Sequence, residues 1–215
     1  MGIFDLEGPV FLAMAKLSKI AAINIVYCIC CIPIITIGAA TTALHDCVCV
    51  LIEDEDDSKI VRRFFRTFKR KFRGSTFLWL SCLLVFVFLA VYQSVINRMD
   101  GIFYQSYQIV LFVLCILFLF GFQYIFPMQA KFDMKSGEIL KKAWMISVLA
   151  LPWTLASIVC TGGAIYVSFF MNIETIGTAV YIWLVAGFGL IAYINNLFFE
   201  KAFEKIMPAK NEGEE

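Results

Sequence analysis

Residues 103–126 read FYQSYQIVLFVLCILFLFGFQYIF and contain no Asp, Glu, Lys, Arg or His. At 1.5 Å of rise per residue, a helix of this length exceeds the roughly 30 Å hydrocarbon core of a bilayer. Hydrocarbon offers no partner for backbone polar groups, so a membrane-spanning segment is a helix or a strand of a closed barrel. Barrel strands alternate apolar and polar residues. The unbroken apolar run therefore predicts a transmembrane helix.

Four further runs lack ionisable side chains and are long enough to span a bilayer: 20–37, 75–96, 143–168 and 175–199. The composition agrees, since 61% of the 215 residues are hydrophobic and 16% are charged, against about 45–50% and 25% in soluble domains. We predict an all-α, polytopic transmembrane bundle with five full-length spans. Residues 1–207 form one membrane domain, and 208–215 form a flexible acidic tail.

A sixth apolar segment, 39–52 (AATTALHDCVCVLI), is shorter and is predicted to be a return helix. The preceding Pro33 disrupts helical hydrogen bonding, and Gly38 permits a turn. Thr36 is placed to cap the next helix. With Asn24, Thr41 and Thr42, these residues make up a candidate hairpin motif.

Positive charge is distributed on one side of the predicted bilayer. If 39–52 returns through the membrane, seventeen of the eighteen Lys and Arg residues lie on one side and only Arg98 lies on the other. The excess marks the cytoplasmic side, so both termini are expected in the cytoplasm. The alternative places 39–52 at the interface and the N-terminus outside.

An amphipathic helix is predicted over 58–73, after the acidic run at 53–57. Its apolar residues recur every three or four positions: Ile60, Val61, Phe64, Phe65, Phe68 and Phe72. Ser58 is the predicted N-cap. The cations face anionic lipid headgroups or a partner protein such as a transporter or regulator: Lys59, Arg62, Arg63, Arg66, Lys69, Arg70 and Lys71. Nucleic acid is disfavoured because a membrane span follows directly.

His45 and Asp46 are the ionisable side chains inside a candidate membrane segment, which makes them a candidate polar site. The alternative is that both side chains extend to the membrane–water interface, where they are hydrated and have no functional role. A metal site using His45, Cys47, Cys49 and the cysteines at 28–31 matches no established zinc spacing, so no metal or cofactor is expected. The eight cysteines are interpreted as free apolar side chains.

Catalytic motifs are not recognisable in this sequence, so no enzyme is expected. The long spans also lack the ionisable groups typical of ion-coupled transporters. A carrier of neutral solutes would have to use uncharged polar residues: Asn24, Gln93, Gln123, Thr154, Asn195 and Asn196. Such residues equally serve to hold membrane helices together.

The segment Leu17–Leu44, with Asn24 and the Pro33-Ile-Ile-Thr-Ile-Gly38 sequence, resembles the YesL-type bacterial membrane proteins, a family of unknown function. The Phe- and Lys-rich stretch 64–72 is also similar, whereas Ala39 stands where the family usually has proline. The resemblance implies a plasma-membrane protein encoded near carbohydrate importers. We therefore expect a noncatalytic accessory to carbohydrate uptake, with a small-solute permease or transporter subunit as the alternative. The sequence leaves the oligomeric state undetermined.

Overall fold

The computed structural model describes residues 9–53, 59–98, 102–169 and 176–206. Every regular element in these ranges is helical. The α-helices are α1 (Pro9–Cys30), α2 (Ile37–Ile52), α3 (Ile60–Ile96), α4 (Ile102–Lys131), α5 (Ser136–Leu149), α6 (Leu151–Phe169), α7 (Ile176–Ile182) and α8 (Phe188–Ile206). A 3₁₀ turn at Ile34–Thr36 precedes α2, and a π-helical turn at Trp183–Gly187 joins α7 to α8.

Six helical segments of the described chain are long and apolar enough to cross a membrane, judged by length and composition. They are Val10–Cys30, Ile34–Ile52, Ile60–Ile96, Tyr104–Lys131, Leu151–Phe169 and Ile176–Phe203. These segments confirm the all-helical fold and indicate a multi-pass membrane protein.

Helix α2 lies at the centre of the bundle. Two thirds of its most apolar stretch (67%) is buried inside the protein, against at most 28% for the other candidate spans. Its first turns carry Gly38, Ala39, Ala40 and Ala43, all buried. Small residues allow neighbouring helices to approach closely, and α2 packs against α1, α3, α4 and α8. The predicted short helix is therefore the core of the fold.

Helix α3 joins two elements that the sequence pattern separated. The predicted amphipathic helix 58–73 and the predicted span 75–96 form one helix, Ile60–Ile96. Gly74 lies inside this continuous helix. Its missing side chain makes room for Gln129, whose Nε2 lies 2.8 Å from where a Cβ would stand. The acids at 54–57 and the predicted cap Ser58 lie outside the described residues, as does the tail 208–215.

The predicted span 143–168 is divided between two helices. Helix α5 ends at Leu149, and Ala150 leaves helical geometry with φ −106° and ψ 35°. Pro152 explains the break, because its ring has no N–H and clashes with the preceding turn. The Thr154 hydroxyl compensates by donating to Ser147 O at 2.9 Å and Ala150 O at 3.1 Å.

The end of α2 and the start of α3 meet the end of α4 near residue 131, the start of α5 near residue 136 and the end of α8. We call this region the charged end. Helix α1 runs antiparallel to α8, with Ile20 against Gly189 and Cys28 near Leu184. The beginning of α1 thus lies towards the charged end too.

Candidate functional site

Asp46 forms the centre of a buried polar cluster between α2 and α3. Its Oδ2 accepts hydrogen bonds from Arg63 Nε at 3.0 Å and from Thr67 Oγ1 at 2.7 Å, while Arg63 Nη2 lies 3.4 Å from Oδ1. The side chain of Asp46 is 10% exposed and that of Arg63 is 25% exposed. The carboxylate is therefore paired inside the protein, and the predicted lipid-facing Arg63 turns inward.

His45 points to a different helix from its neighbour Asp46, because adjacent helical residues diverge by about 100°. Its Nδ1 donates to Asn196 Oδ1 at 2.9 Å, and Asn196 Nδ2 donates to the His45 carbonyl at 3.4 Å. Both residues are buried. His45 thus joins α2 to α8 while Asp46 joins α2 to α3, and the two side chains do not converge on a common ligand.

Two further ion pairs extend the cluster towards α4. Lys71, buried in α3, donates to the Asp133 carboxylate and to the Phe132 carbonyl, the latter at 3.3 Å. This hydrogen bond from the Lys71 ammonium, together with its charge, holds the pKa of Asp133 below its usual range. Lys131 Nζ lies 3.7 Å from Glu53 Oε1. These pairs connect α2, α3 and the end of α4 at the charged end.

The remaining cations of the predicted amphipathic segment lie on the outside of α3. Residues 59, 62, 66, 69 and 73 are all basic, all exposed and spaced by three or four positions, which places them on one helical face. We call Lys59, Arg62, Arg66, Lys69 and Arg73 the outer basic stripe. Arg70, also exposed, lies beside it. Arg62, Arg66 and Lys69 form no ion pair with another described residue.

The aromatic stripe of the same segment packs mainly inside the protein. Phe64 is fully buried and Ile60 is 5% exposed, both in a cluster with Leu44, Cys47 and Val48 of α2. Phe65 is the exception at 43% exposed. The predicted apolar face therefore largely contacts α2 and not the acyl boundary.

The hairpin motif differs in detail from the prediction. Thr36 precedes α2, but its side chain makes no capping hydrogen bond to that helix. Its hydroxyl lies 2.6 Å from the carbonyls of both Cys30 and Pro33. The predicted side-chain cap is wrong, because the tight 3₁₀ turn after Pro33 brings these two carbonyls within reach of the hydroxyl.

Gly38 does not form the turn; it lies inside α2. A Cβ there would stand 2.6 Å from both Ser75 O and Trp79 Cβ, so the glycine allows α2 to touch the backbone of α3. Thr42, one turn later, donates to Gly38 O and contacts Ser75 Oγ, each at 2.9 Å. Thr41 donates to Ile37 O at 2.8 Å. These residues fix the α2–α3 interface.

Asn24 explains the π-helical turn. Its Nδ2 donates to Trp183 O at 3.0 Å and Leu184 O at 2.7 Å, and its Oδ1 accepts from Gly189 N at 2.8 Å. A π-turn frees backbone groups from their usual helical partners, and the fully buried Asn24 amide binds them. Its role in the structure is to join α1 to α8.

The cysteines are all free. Among the described residues, no three His, Cys, Asp or Glu side chains lie together as metal ligands would.

Comparison with known proteins supports the sequence resemblance at the N-terminal part of the chain. Residues 20–92 match the profile of the family described as "Protein of unknown function, DUF624". The chain is also 29% identical over 109 residues to the "Uncharacterized protein YesL" of Bacillus subtilis (strain 168). The predicted resemblance to the YesL-type proteins is confirmed over this part of the chain. The alignment covers 50% of this chain and 50% of that relative, so it spans about half of each.

No solved structure matches this fold significantly. The DUF624 match covers the second half of α1, all of α2 and most of α3, so it contains Asp46, Arg63, Thr67 and the outer basic stripe.

Sequence reasoning missed Thr67 and Asp133. Thr67 lies four residues after Arg63 and four before Lys71, and this spacing places all three on neighbouring parts of one face. These three residues form a polar inner face of α3. That face can be recognised only when Asp46 of α2 is known to lie opposite it. Asp133 had no comparable signal, because it lies in the connection after α4.

Proposed function

We propose that this protein is a noncatalytic accessory subunit of the bacterial plasma membrane, and that its outer basic stripe binds anionic headgroups and an acidic surface of a transporter or regulator. The observation that carries the proposal is the division of the cations along α3. Arg63 and Lys71 pair with internal carboxylates. Arg62, Arg66 and Lys69 point away from the bundle.

The outer basic stripe adds little to the stability of the bundle. Its cations lie on one helical face, where like charges three or four residues apart repel by a few tenths of a kcal/mol per pair. Each such cation near an anionic membrane surface gains about 1 kcal/mol. The arrangement therefore favours an anionic binding surface outside the chain.

The cytoplasm is the proposed location of the charged end. The fold brings the end of α2, the α4–α5 connection and the end of α8 to this region. Most of the Lys and Arg residues lie there. Cytoplasmic segments carry such an excess. Because α1 and α2 form an antiparallel hairpin, the start of α1 lies on the same side as Glu53. This hairpin supports a cytoplasmic N-terminus.

A small-solute permease, the alternative, would need polar side chains available along a path. Several of the uncharged polar residues are instead bonded to other helices. Asn24 binds the π-turn, Asn196 binds His45, and Asn195 accepts from Ser157 at 3.1 Å and donates to Thr161 at 2.8 Å. Tyr124 and Thr154 hydroxyls lie 2.9 Å apart. This bonding favours a structural role for these residues.

The link to carbohydrate uptake rests on the YesL-like resemblance, which implies genes placed beside sugar importers. An accessory subunit with a cytoplasmic basic face suits such a role, because importers and their regulators present cytoplasmic surfaces. We therefore propose that the acidic partner belongs to a carbohydrate uptake system.

The proposal is tested with a triple variant, Arg62→Glu, Arg66→Glu and Lys69→Glu, expressed in the native bacterium. We expect chemical cross-linking of intact cells to connect α3 of the native chain to one membrane or regulatory protein, and the triple variant to lose that product. Lys135→Glu with Lys141→Glu, two exposed cations immediately before α5 and within it, is the matched control and retains it. An unchanged product in the triple variant contradicts the proposal, as does solute flux by the purified protein alone in liposomes.

A further inference from the structure

An apolar groove runs between α3, α4 and α5, on the part of the bundle that faces hydrocarbon. Its volume is about 350 Å³, and its walls include Cys82, Val85, Leu89, Leu114, Phe118 and Trp144. Pockets that bind small molecules measure about 300–1,000 Å³. Gly121 helps to shape the wall, because a Cβ there would stand 2.5 Å from the Trp144 Nε1. The groove is therefore large enough for an extended alkyl chain.

Polar residues lie one helical turn beyond the groove, on the side of the charged end. On α4, Gln129 follows Ile125 by one turn, and on α5 Ser136 precedes Leu140 by one turn; Ile125 and Leu140 both line the groove. Gln129 Nε2 and Ser136 Oγ lie 2.8 Å and 3.8 Å from where a Gly74 Cβ would stand. The Oε1 atom of the buried Gln129 has no hydrogen-bond partner among the described residues. Polarity thus rises from the groove towards Gly74.

Positive charge dominates around this polar end. Residues 70–73 and 131–142 contain seven cations (Arg70, Lys71, Arg73, Lys131, Lys135, Lys141 and Lys142) and two carboxylates (Asp133 and Glu138). Lys71 is paired with Asp133 and Lys131 with Glu53, and both carboxylates are exposed. Arg73, Lys135 and Lys141 are exposed as well. An anionic group at this position would be electrostatically favoured.

We propose that this groove binds one acyl chain of an anionic membrane phospholipid, with the phosphate placed among the cations at the charged end. The dimensions agree with this occupant. On α3 the groove is lined from Ser81 to Leu89, a rise of about 12 Å, and Gly74 lies about 10 Å further towards the charged end. An acyl chain reaches the bilayer midplane about 15 Å from the headgroup boundary. The site shares only Arg73 with the outer basic stripe, and it does not depend on the function proposed for that stripe.

Photo-cross-linking in nanodiscs tests the proposal with the intact chain. The probe is a phosphatidylglycerol with a diazirine on one acyl chain, present at low amount in a phosphatidylcholine bilayer, and a phosphatidylcholine with the same chain is the comparison. We expect adducts concentrated on the groove residues of α3, α4 and α5, with about fivefold more from the phosphatidylglycerol probe, as expected for one cation–headgroup contact.

Two pairs of variants separate the chain site from the headgroup site. Val85→Trp fills the groove and should remove these adducts, whereas Val159→Trp, on an exposed face of α6 (71% exposed), should leave them unchanged. Lys135→Glu with Lys141→Glu should abolish the preference for phosphatidylglycerol while adducts remain in the groove. The outer-stripe variant Arg62→Glu, Arg66→Glu and Lys69→Glu should retain that preference.

Adducts spread evenly over the lipid-facing helices would overturn the proposal, since they would indicate ordinary surrounding lipid. Equal yield from the two probes in the unaltered protein would overturn the proposed preference for an anionic headgroup. The probe comparison needs no substitution, so the result stands even if Val85→Trp fails to fold. If the unaltered protein gives groove adducts but no partner cross-link, only the proposed function is contradicted.

Discussion

The carboxylate of Asp46 accepts a hydrogen bond from Arg63 Nε at 3.0 Å, joining the centre of α2 to the charged half of α3. Arg63 is one of the cations that sequence alone assigned to the lipid surface. Its inward position divides the basic residues of α3 into those that stabilise the bundle and those that remain outside. The proposed binding surface is therefore smaller than the sequence indicates, and it consists of the outer basic stripe.

Replacing Asp46 by Asn should destabilise the bundle. The substitution leaves Arg63 without its carboxylate, and we expect the free energy of unfolding to fall by about 1–3 kcal/mol. The measurement is reversible unfolding in detergent micelles. Glu53→Gln, which removes the exposed pair with Lys131, should cost less than about 1 kcal/mol. Equal losses for the two variants would show that Asp46 is no more important than a surface acid.

Gly38 should tolerate no side chain. In Gly38→Ala the new Cβ would stand 2.6 Å from Ser75 O and Trp79 Cβ, so α2 must move away from α3 at a cost of about 1–3 kcal/mol. Gly162→Ala is the control, because no atom lies within 4 Å of its Cβ position. That change should be neutral or stabilising by up to about 1 kcal/mol. Thermal unfolding of both variants is the measurement. A loss of stability in Gly38→Ala alone supports the close contact between α2 and α3, whereas equal losses in both variants would contradict it.

Asn24→Leu should destabilise the π-turn. It removes the partners of Trp183 O, Leu184 O and Gly189 N, and buried unsatisfied groups cost about 1–3 kcal/mol each. We expect faster amide hydrogen exchange at Gly189 together with lower stability. Asn97→Leu, at an exposed asparagine that accepts from Gln93 at 2.6 Å, should change stability by about 0.5 kcal/mol or less. Unchanged exchange at Gly189 in Asn24→Leu would contradict this role.

The Lys71–Asp133 pair should make a small, acid-sensitive contribution to stability. Lys71 holds the pKa of Asp133 below its usual value, so the folded protein binds this proton less tightly than the unfolded chain. The contribution is therefore present above the ordinary pKa of the carboxyl and is lost as pH falls through the lowered pKa. The melting temperatures of the native protein and Asp133→Asn should differ slightly at pH 7 and converge in acid. A difference in melting temperature that increases in acid would contradict a lowered pKa of Asp133.

Much of the fold could be predicted from the sequence, because long runs without charge have few structural solutions in a bilayer. The break at Ala150 was missed because apolar composition does not change there, and only Pro152 signals it. The continuity of α3 was missed because polarity changes at residue 74 while helical geometry does not. The ends of an apolar run show where a segment enters and leaves the membrane, but they do not show where a helix begins and ends.

The candidate site was predicted less completely. His45 and Asp46 stood out as ionisable residues in an apolar segment, but their partners come from distant parts of the chain. Asn196 lies 151 residues from His45, and periodicity within one helix cannot reveal such a pairing. The inner or outer position of each cation on α3 likewise depends on where α2 packs.

The most direct test of the central claim uses a photoreactive amino acid at position 66, in the middle of the outer basic stripe, in membranes of the native bacterium. A second protein carries the same amino acid at position 166, an exposed site on α6. The account predicts a discrete protein adduct at position 66 that disappears with Arg62→Glu and Lys69→Glu, and no such adduct at position 166. Adducts with lipid alone at both positions, or a position-66 adduct insensitive to charge reversal, would contradict the claim that this stripe binds an acidic partner.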